Sequence, residues 1–275
     1  MTIRFDELQK ADFGQRDILR YIADVRNRLS LLSDFPIVSY GPSGPRDNQT
    51  AGERRQLMTG IQLKRASTNP AQGLWLAKLA QQVSVNTPIH VLELGTAAGV
   101  SGMYLLVGMA QGTGGHFVTF EGSYELAQLA ENNLRSLVNK YELGNVTYQV
   151  IVGDFGVTFD PYIQTLTNPL HLAFIDGNHR EEATLDYHTF VRDVMDRRGI
   201  IVHDDIGWSD GMYRAWRTIQ GMEGVGRTVE LYLGNRPSRG IVDMSSDPVG
   251  PAKTMHLDGV FERFGRSAKR LLKRH

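Results

Sequence analysis

Between Ile89 and Met244 the chain alternates two hydrophobic patterns. Short apolar runs are separated by longer segments whose apolar residues recur every three or four positions. The runs Ile89–Leu94, His116–Glu121, Val146–Val152, Leu172–Ile175, Gly199–Val202, Val229–Leu233 and Gly240–Met244 each predict a strand. Val100–Met109, Tyr124–Tyr141, Glu182–Met195 and Gly211–Met222 predict helices. In the second of these, Leu126, Leu129, Leu134, Leu137, Val138 and Tyr141 form one stripe. Strands that alternate with helices predict an α/β fold: a Rossmann-like, doubly wound, mostly parallel seven-stranded sheet.

The flanks differ. Asp17–Leu32 carries Ile18, Leu19, Ile22, Val25 and Leu29 at helical spacing. Ser39–Pro45 is broken by Gly and Pro and predicts a loop. Asn69 before Pro70 predicts a helix start, and Leu76, Leu79, Ala80 and Val83 mark that helix's buried face. The expected organisation is an N-terminal helical cap over 1–67, an α/β domain over 68–245 and a polar, basic tail over 246–275. All three belong to one structural domain.

Composition narrows the function classes. The 275 residues hold 30 Lys+Arg and 30 Asp+Glu, so no net charge draws the chain to nucleic acid. The absence of Cys excludes disulfides, thiolate metal sites and Cys nucleophiles. No apolar run reaches the roughly 18 residues of a transmembrane segment. The opening residues MTIRFDELQKADF lack a signal-peptide core, so the expected location is cytoplasmic. In the tail, Phe261, Phe264, Leu271 and Leu272 are interleaved with Arg263, Arg266, Lys269, Arg270, Lys273 and Arg274. This pattern reads first as a solvated helix packed on its own domain or a partner. Contact with an acidic membrane or nucleic acid is the alternative. Trp75, Trp208 and Trp216 are candidates for core or for an acceptor pocket.

In a doubly wound sheet, ligands bind beyond the carboxyl ends of the strands. The first such end reads Glu93-Leu94-Gly95-Thr96-Ala97-Ala98-Gly99. Gly95 and Gly99 allow close approach of backbone to a ligand, and the following helix offers free N–H groups. Ala97 stands where a dinucleotide fingerprint requires glycine, and Glu93 disfavours a neighbouring phosphate. The second strand ends in Glu121-Gly122, placed to accept from two ribose hydroxyls or to lie solvated at the surface. The third is followed by Gly153-Asp154, where Asp154 either caps a helix or accepts from an adenine amino group. In this order the three acids describe an adenosine-shaped site without phosphate.

The fourth and fifth strand ends bring Asp176, Asp204 and Asp205. Adjoining carboxylates repel one another unless paired. A divalent cation, best Mg²⁺, resolves the repulsion; salt bridges to Arg180 or Arg214 are the alternative. His179, three residues beyond Asp176, is a candidate general base, whereas strand alternation turns His203 away from the site.

Glu-x-Gly-x-x-x-Gly, the strand-end Glu121 and Gly153-Asp154 together resemble the class I S-adenosylmethionine-dependent methyltransferases. Phe174–His179 is similar to the I-D-G-x-H segment of a bacterial branch, and Gly199–Asp205 to its G-G-hydrophobic-x-x-D-D/N segment. The resemblance covers roughly residues 68–244 and extends to the metal-dependent O-methyltransferases of catechols, caffeoyl esters and macrolide sugars. It implies S-adenosyl-L-methionine bound by Glu93, Gly95, Thr96, Ala97, Gly99, Ser101, Glu121, Gly122, Gly153, Asp154 and Asp176. It further implies Mg²⁺ or another divalent cation held by Asp176, Asp204 and Asp205, and His179 as base. A small-molecule hydroxyl acceptor and a homodimer follow from the same resemblance. The alternatives are metal-independent N- or carboxyl-methylation on this fold and, further off, a nucleotide-binding module or dehydrogenase.

Overall fold

The computed structural model describes Leu8 and residues 13–40, 53–245 and 253–256. The chain begins with α1 (Arg16–Arg28), a 3₁₀ turn at Leu29–Leu31, and a two-stranded antiparallel ribbon, β1 (Phe35–Tyr40) and β2 (Glu53–Met58). Two helices follow, α2 (Gly60–Ala66) and α3 (Pro70–Val83). The alternating region then runs β3 (Ile89–Leu94), α4 (Val100–Gln111), β4 (Gly115–Glu121), α5 (Tyr124–Lys140), β5 (Val146–Val152) and α6 (Phe155–Thr165). It continues through β6 (Leu170–Ile175), α7 (Glu181–Asp193), β7 (Met195–His203), α8 (Asp210–Gln220), β8 (Arg227–Leu233), β9 (Arg236–Asp243) and β10 (Lys253–His256).

Among the described residues the main sheet has eight strands, in the order β10-β8-β9-β7-β6-β3-β4-β5. All neighbours are parallel except β9, which runs antiparallel to both β7 and β8. The chain winds outward from β3 through β4 to β5, then returns to β6 and β7 on the other side of β3. The winding therefore reverses between β3 and β6, and the crevice of a doubly wound sheet opens at such a point.

The doubly wound, mostly parallel sheet expected from the pattern is present, with three differences. The sheet has an eighth strand, β10, inside the segment expected to be a polar tail. It is a short edge strand with one inward apolar residue, Met255, and so gives no alternating signal. The cap is not wholly helical, because β1 and β2 pair within it, and Ser39 and Tyr40 belong to β1 rather than to the predicted loop. Lastly, α2 and α6 went unrecognised. The short α2 is set by a capping box: Gln62 N donates to Thr59 Oγ1 at 3.2 Å, and Thr59 N to Gln62 Oε1 at 2.8 Å. Thr59→Ala is expected to cost about 1 kcal/mol in urea unfolding. The basic tail residues from Phe261 onward lie outside the described residues.

Side-chain alternation sorts the strands onto two cores. Leu172, Phe174, Ile200 and Val202 face α1, α3, α4 and α5, together with Trp75 and Phe117. Ala173, Ile175 and Ile201 face the other way, against Val191, Trp216 and Ile219 of α7 and α8. Ile18, Leu19, Ile22 and Val25 of α1 join the first of these cores, so this part of the cap shares a core with the sheet. A 13-residue helix is marginal alone. Tertiary burial, about 1.5–3 kcal/mol per fully buried large aliphatic side chain, holds it in place.

Candidate functional site

The glycine turn follows β3 at the reversal point. Gly95 has φ +96°, and a Cβ there would lie 2.2 Å from the carbonyl oxygen of Asp176. Only glycine lets the end of β3 pass this close to the end of β6. Gly99 has φ +76° and precedes the first turn of α4, with Ala130 of α5 against it. Between the two, Ala97 is held at φ +46°. Among the described residues, non-glycine positive φ occurs at Ala97, Asn178, Asp205 and Glu142, and the first three lie at these strand ends. Such strain gathers where surrounding structure imposes it, commonly at functional sites.

Two buried glutamates flank the turn. Glu93 is fully buried at the end of β3 and accepts from Thr119 Oγ1 at 2.6 Å, while its Oε1 has no partner among the described residues. Burial pushes its carboxyl up to about 7, opposed in part by the hydroxyls of Ser101 and Thr119. The hydroxyls of Thr96 and Thr119 are themselves bonded. Glu121, at the end of β4, accepts from Ala97 N at 2.7 Å and Ser123 N at 2.9 Å. Burial raises its carboxyl to about 7 as well, against these backbone donors. The Gly122 backbone also donates to this carboxylate, and Gly153, at φ +140°, donates to the Glu121 carbonyl at 2.9 Å. Asp154 caps α6, accepting from Gly156 N at 2.9 Å through Oδ1.

A narrow cleft of about 10 Å³ is lined by Ser67, Thr68, Gly95, Thr96, Ala97, Ser101 and Asp176, among others. Thr68 Oγ1 and Glu93 Oε1 are both buried without a partner here. Unpaired buried polar atoms beside a glycine turn fit a ligand that carries its own donors and acceptors. A larger hollow of about 460 Å³ lies where α3 and α4 end, lined by Lys78, Gln81, Gln82, Gln111 and Thr113. Helices that follow parallel strands run back along the sheet, so this hollow sits at the opposite end from the strand carboxyl termini.

The ends of β6 and β7 bring Asp176, Asp204 and Asp205 together with His179. His179 Nε2 lies 3.7 Å from Asp176 Oδ1 and 3.9 Å from Asp205 Oδ2. Asp176 is raised well above the ordinary carboxylate range, first by burial and then by the charges of Asp204 and Asp205. Asp205 is raised for the same reasons, with His179 and Arg239 opposing. Trp208 is 71% exposed, and its ring centroid is 6.3 Å from that of His179. Trp75 and Trp216 are core residues, each 1% exposed. His203 is buried beneath Trp216 and bonds His188 at 3.0 Å, away from the carboxylates.

At the expected divalent-ion corner of Asp176, Asp204 and Asp205, one carboxylate has a partner within the protein. Arg239 of β9 donates from Nε to Asp204 Oδ1 at 2.7 Å, and its side chain is fully buried. A permanent cation is thus bonded to one oxygen of one of the three expected ligands. Among the described residues, no group of three or more His, Asp or Glu side chains is arranged to hold a metal ion. The alternative partners Arg180 and Arg214 are not used for this purpose; Arg214 pairs with Glu181 at 2.7 Å. The pattern missed Arg239 because it sits at the edge of an apolar run, Gly240-Ile241-Val242, where a charged residue reads as a strand end. Its signal was the alternation: Arg239 shares a strand face with the buried Ile241.

Residues 92–206 match the sequence profile described as a methyltransferase domain. No curated protein sequence matches the chain. Solved structures do. The O-methyltransferase of Bacillus cereus, in complex with SAH, is 17% identical with a TM-score of 0.57, over 86% of this chain and 96% of that one. TomG of Streptomyces achromogenes, an O-methyltransferase involved in tomaymycin synthesis and bound to SAM, is 19% identical with a TM-score of 0.53, over 65% and 81%. The SAH-bound methyltransferase PaMTH1 of Podospora anserina is 16% identical with a TM-score of 0.51, over 85% and 97%. At these identities the likeness establishes the fold. Among the described residues no helix is long and apolar enough to cross a membrane. The turn, the strand-end acids and the profile match agree: residues 92–206 are similar to a methyltransferase domain.

Proposed function

We propose that the chain moves the methyl group of S-adenosylmethionine to a hydroxyl of a small molecule, with His179 as general base. The observation that carries this is the position of His179 Nε2, 3.7 Å and 3.9 Å from the carboxylates of Asp176 and Asp205 at the winding reversal. These gaps exceed a hydrogen bond, so neither carboxylate engages His179 Nε2 directly and the nitrogen is open to a substrate proton. S-adenosylmethionine, when bound, supplies an already activated sulfonium methyl. The chain's part is therefore placement and proton removal. His179 Nε2 takes the hydroxyl proton, and the two facing carboxylates stabilise the imidazolium that results. The exposed Trp208 ring beside His179 offers a face on which an acceptor ring stacks.

On the cofactor side, Gly95, Thr96, Ala97, Gly99 and Ser101 would line the ligand. Glu93 Oε1 is an open acceptor for the donors of its amino-acid end. Glu121, pinned by backbone N–H groups, would accept from the ribose hydroxyls. Gly122, Gly153 and Asp154 would flank the adenine, with Asp154 Oδ2 left over from capping. Glu121→Gln is expected to weaken S-adenosylhomocysteine binding about tenfold or more, because a charge-assisted hydrogen bond contributes about 1.5–3 kcal/mol. Calorimetric titration checks this; unchanged affinity removes Glu121 from the site. A screen of sugars, phenols and catechols with labelled methyl donor tests the transfer itself. O-methyl product is expected, and product methylated only on nitrogen or carboxylate oxygen would sink the assignment.

A further inference from the structure

Arg239 is fully buried, and its guanidinium touches the carboxylate cluster from beneath. Nε donates to Asp204 Oδ1 at 2.7 Å, and Nη1 donates to the carbonyl of Gln72 at 2.9 Å. The guanidinium carbon stands 5.0 Å from the centre of the Phe174 ring, two residues before Asp176 on β6. Gln72 is itself tied to β9, because its Nε2 donates to Ser238 Oγ at 2.8 Å. The cation is thus clamped from α3, β6 and β7 at once. An arginine cannot deprotonate in a protein, so its charge cannot be withdrawn. The remaining terminal nitrogen, Nη2, is buried and has no partner among the described residues, which leaves one donor pointing nowhere else in the fold.

We propose that Arg239 is the resident cation of the Asp176–Asp204–Asp205 cluster, standing where a divalent ion would otherwise balance the charge, and that this chain transfers methyl groups without such an ion. The inference rests on the methyltransferase reading above only in its last clause. Its first clause is a statement about charge. Three carboxylates converge; one is bonded to Arg239, and the other two face His179 across 3.7 and 3.9 Å. A doubly charged ion placed among them would meet a fixed positive charge already bonded to one of its expected ligands. Its binding would be weakened by that repulsion and by the loss of Asp204 Oδ1 as a ligand. Arg239 acts through Asp204 and is a positioning residue, holding the Asp204-Asp205 turn in register with Asp176.

The test uses the full chain, stripped with EDTA, dialysed, and titrated with Mn²⁺ by electron paramagnetic resonance in the presence of S-adenosylhomocysteine. The wild type is expected to show no saturable site up to about 1 mM. Arg239→Gln leaves the carboxylates without their cation and is expected to gain a Mn²⁺ site at least about tenfold tighter. The further change Asp205→Asn should abolish that gain. Arg239→Lys keeps the charge and is expected to behave as wild type, a rescue that a purely structural role does not provide. A stoichiometric micromolar Mn²⁺ site in the wild type would overturn the proposal. So would a folded Arg239→Gln that binds no more Mn²⁺ than wild type. If Arg239→Gln does not fold, the wild-type and Arg239→Lys titrations decide alone. Loss of S-adenosylhomocysteine binding in the wild type would count against the proposed function, and leaves the metal titration to stand or fall separately.

Discussion

His179→Ala is expected to lower methyl-transfer turnover by about 10²–10⁴-fold at neutral pH, the range that positioned acid–base groups supply. Affinity for S-adenosylhomocysteine should be unchanged, because His179 lies beyond the end of β6 and outside the residues lining the glycine-turn cleft. The same variant should show turnover that rises as the acceptor hydroxyl becomes more acidic, since an acceptor that ionises by itself needs no base. His179→Ala with full turnover would end the base assignment. A parallel loss of cofactor affinity would move His179 from proton transfer to binding. Its side chain is 30% exposed, so the substitution leaves no large buried cavity and should cost little stability.

Acidification is expected to destabilise the fold through a buried histidine pair. His188 Nδ1 and His203 Nε2 are 3.0 Å apart between α7 and β7, and both side chains are buried. Burial lowers His188 to about 4 from the ordinary value of 6.5, with Arg192 adding to the effect. Burial, with His188 beside it, holds His203 well below the same ordinary value. The fold therefore holds both rings neutral. Their contribution is fully present above about 6.5 and is lost as pH falls from 6.5 toward 4. For His188 the loss at the acid end is on the order of 3 kcal/mol. Urea unfolding at neutral and acid pH measures it. The double variant His188→Leu with His203→Leu should flatten the pH dependence over that window; an equally steep dependence in the double variant would refute the assignment.

Which features were legible in the sequence follows from the range of the physics that sets them. The central runs β3 and β6 became strands because two-sided burial writes a nearly continuous apolar signal. The antiparallel turn of β9 and the edge strand β10 depend on pairing between distant segments, and no local pattern records that. β1 and β2 were lost for the same reason, since a two-stranded ribbon in a cap needs no long alternation. The glycine turn was readable because Gly95 answers a local demand for positive φ, even though the atom that excludes a Cβ belongs to Asp176. The strand-end acids were readable from the rule that parallel sheets bind ligands at their carboxyl ends. What the strand-end acids are bonded to was not. Arg239 lies 35 positions from Asp204 and 167 from Gln72, so the pairing beside the expected metal corner is wholly tertiary. Similarly, the direction of His203 followed from strand alternation, whereas its partner His188 could not be inferred.

The account stands on the cleft at Glu93–Gly99 being a site for S-adenosylmethionine. Isothermal titration of the full chain with S-adenosylhomocysteine, and separately with NAD, tests this directly. A saturable, one-to-one heat with S-adenosylhomocysteine and none with NAD is the predicted result. Binding of NAD in preference, or no heat with either ligand, would contradict it.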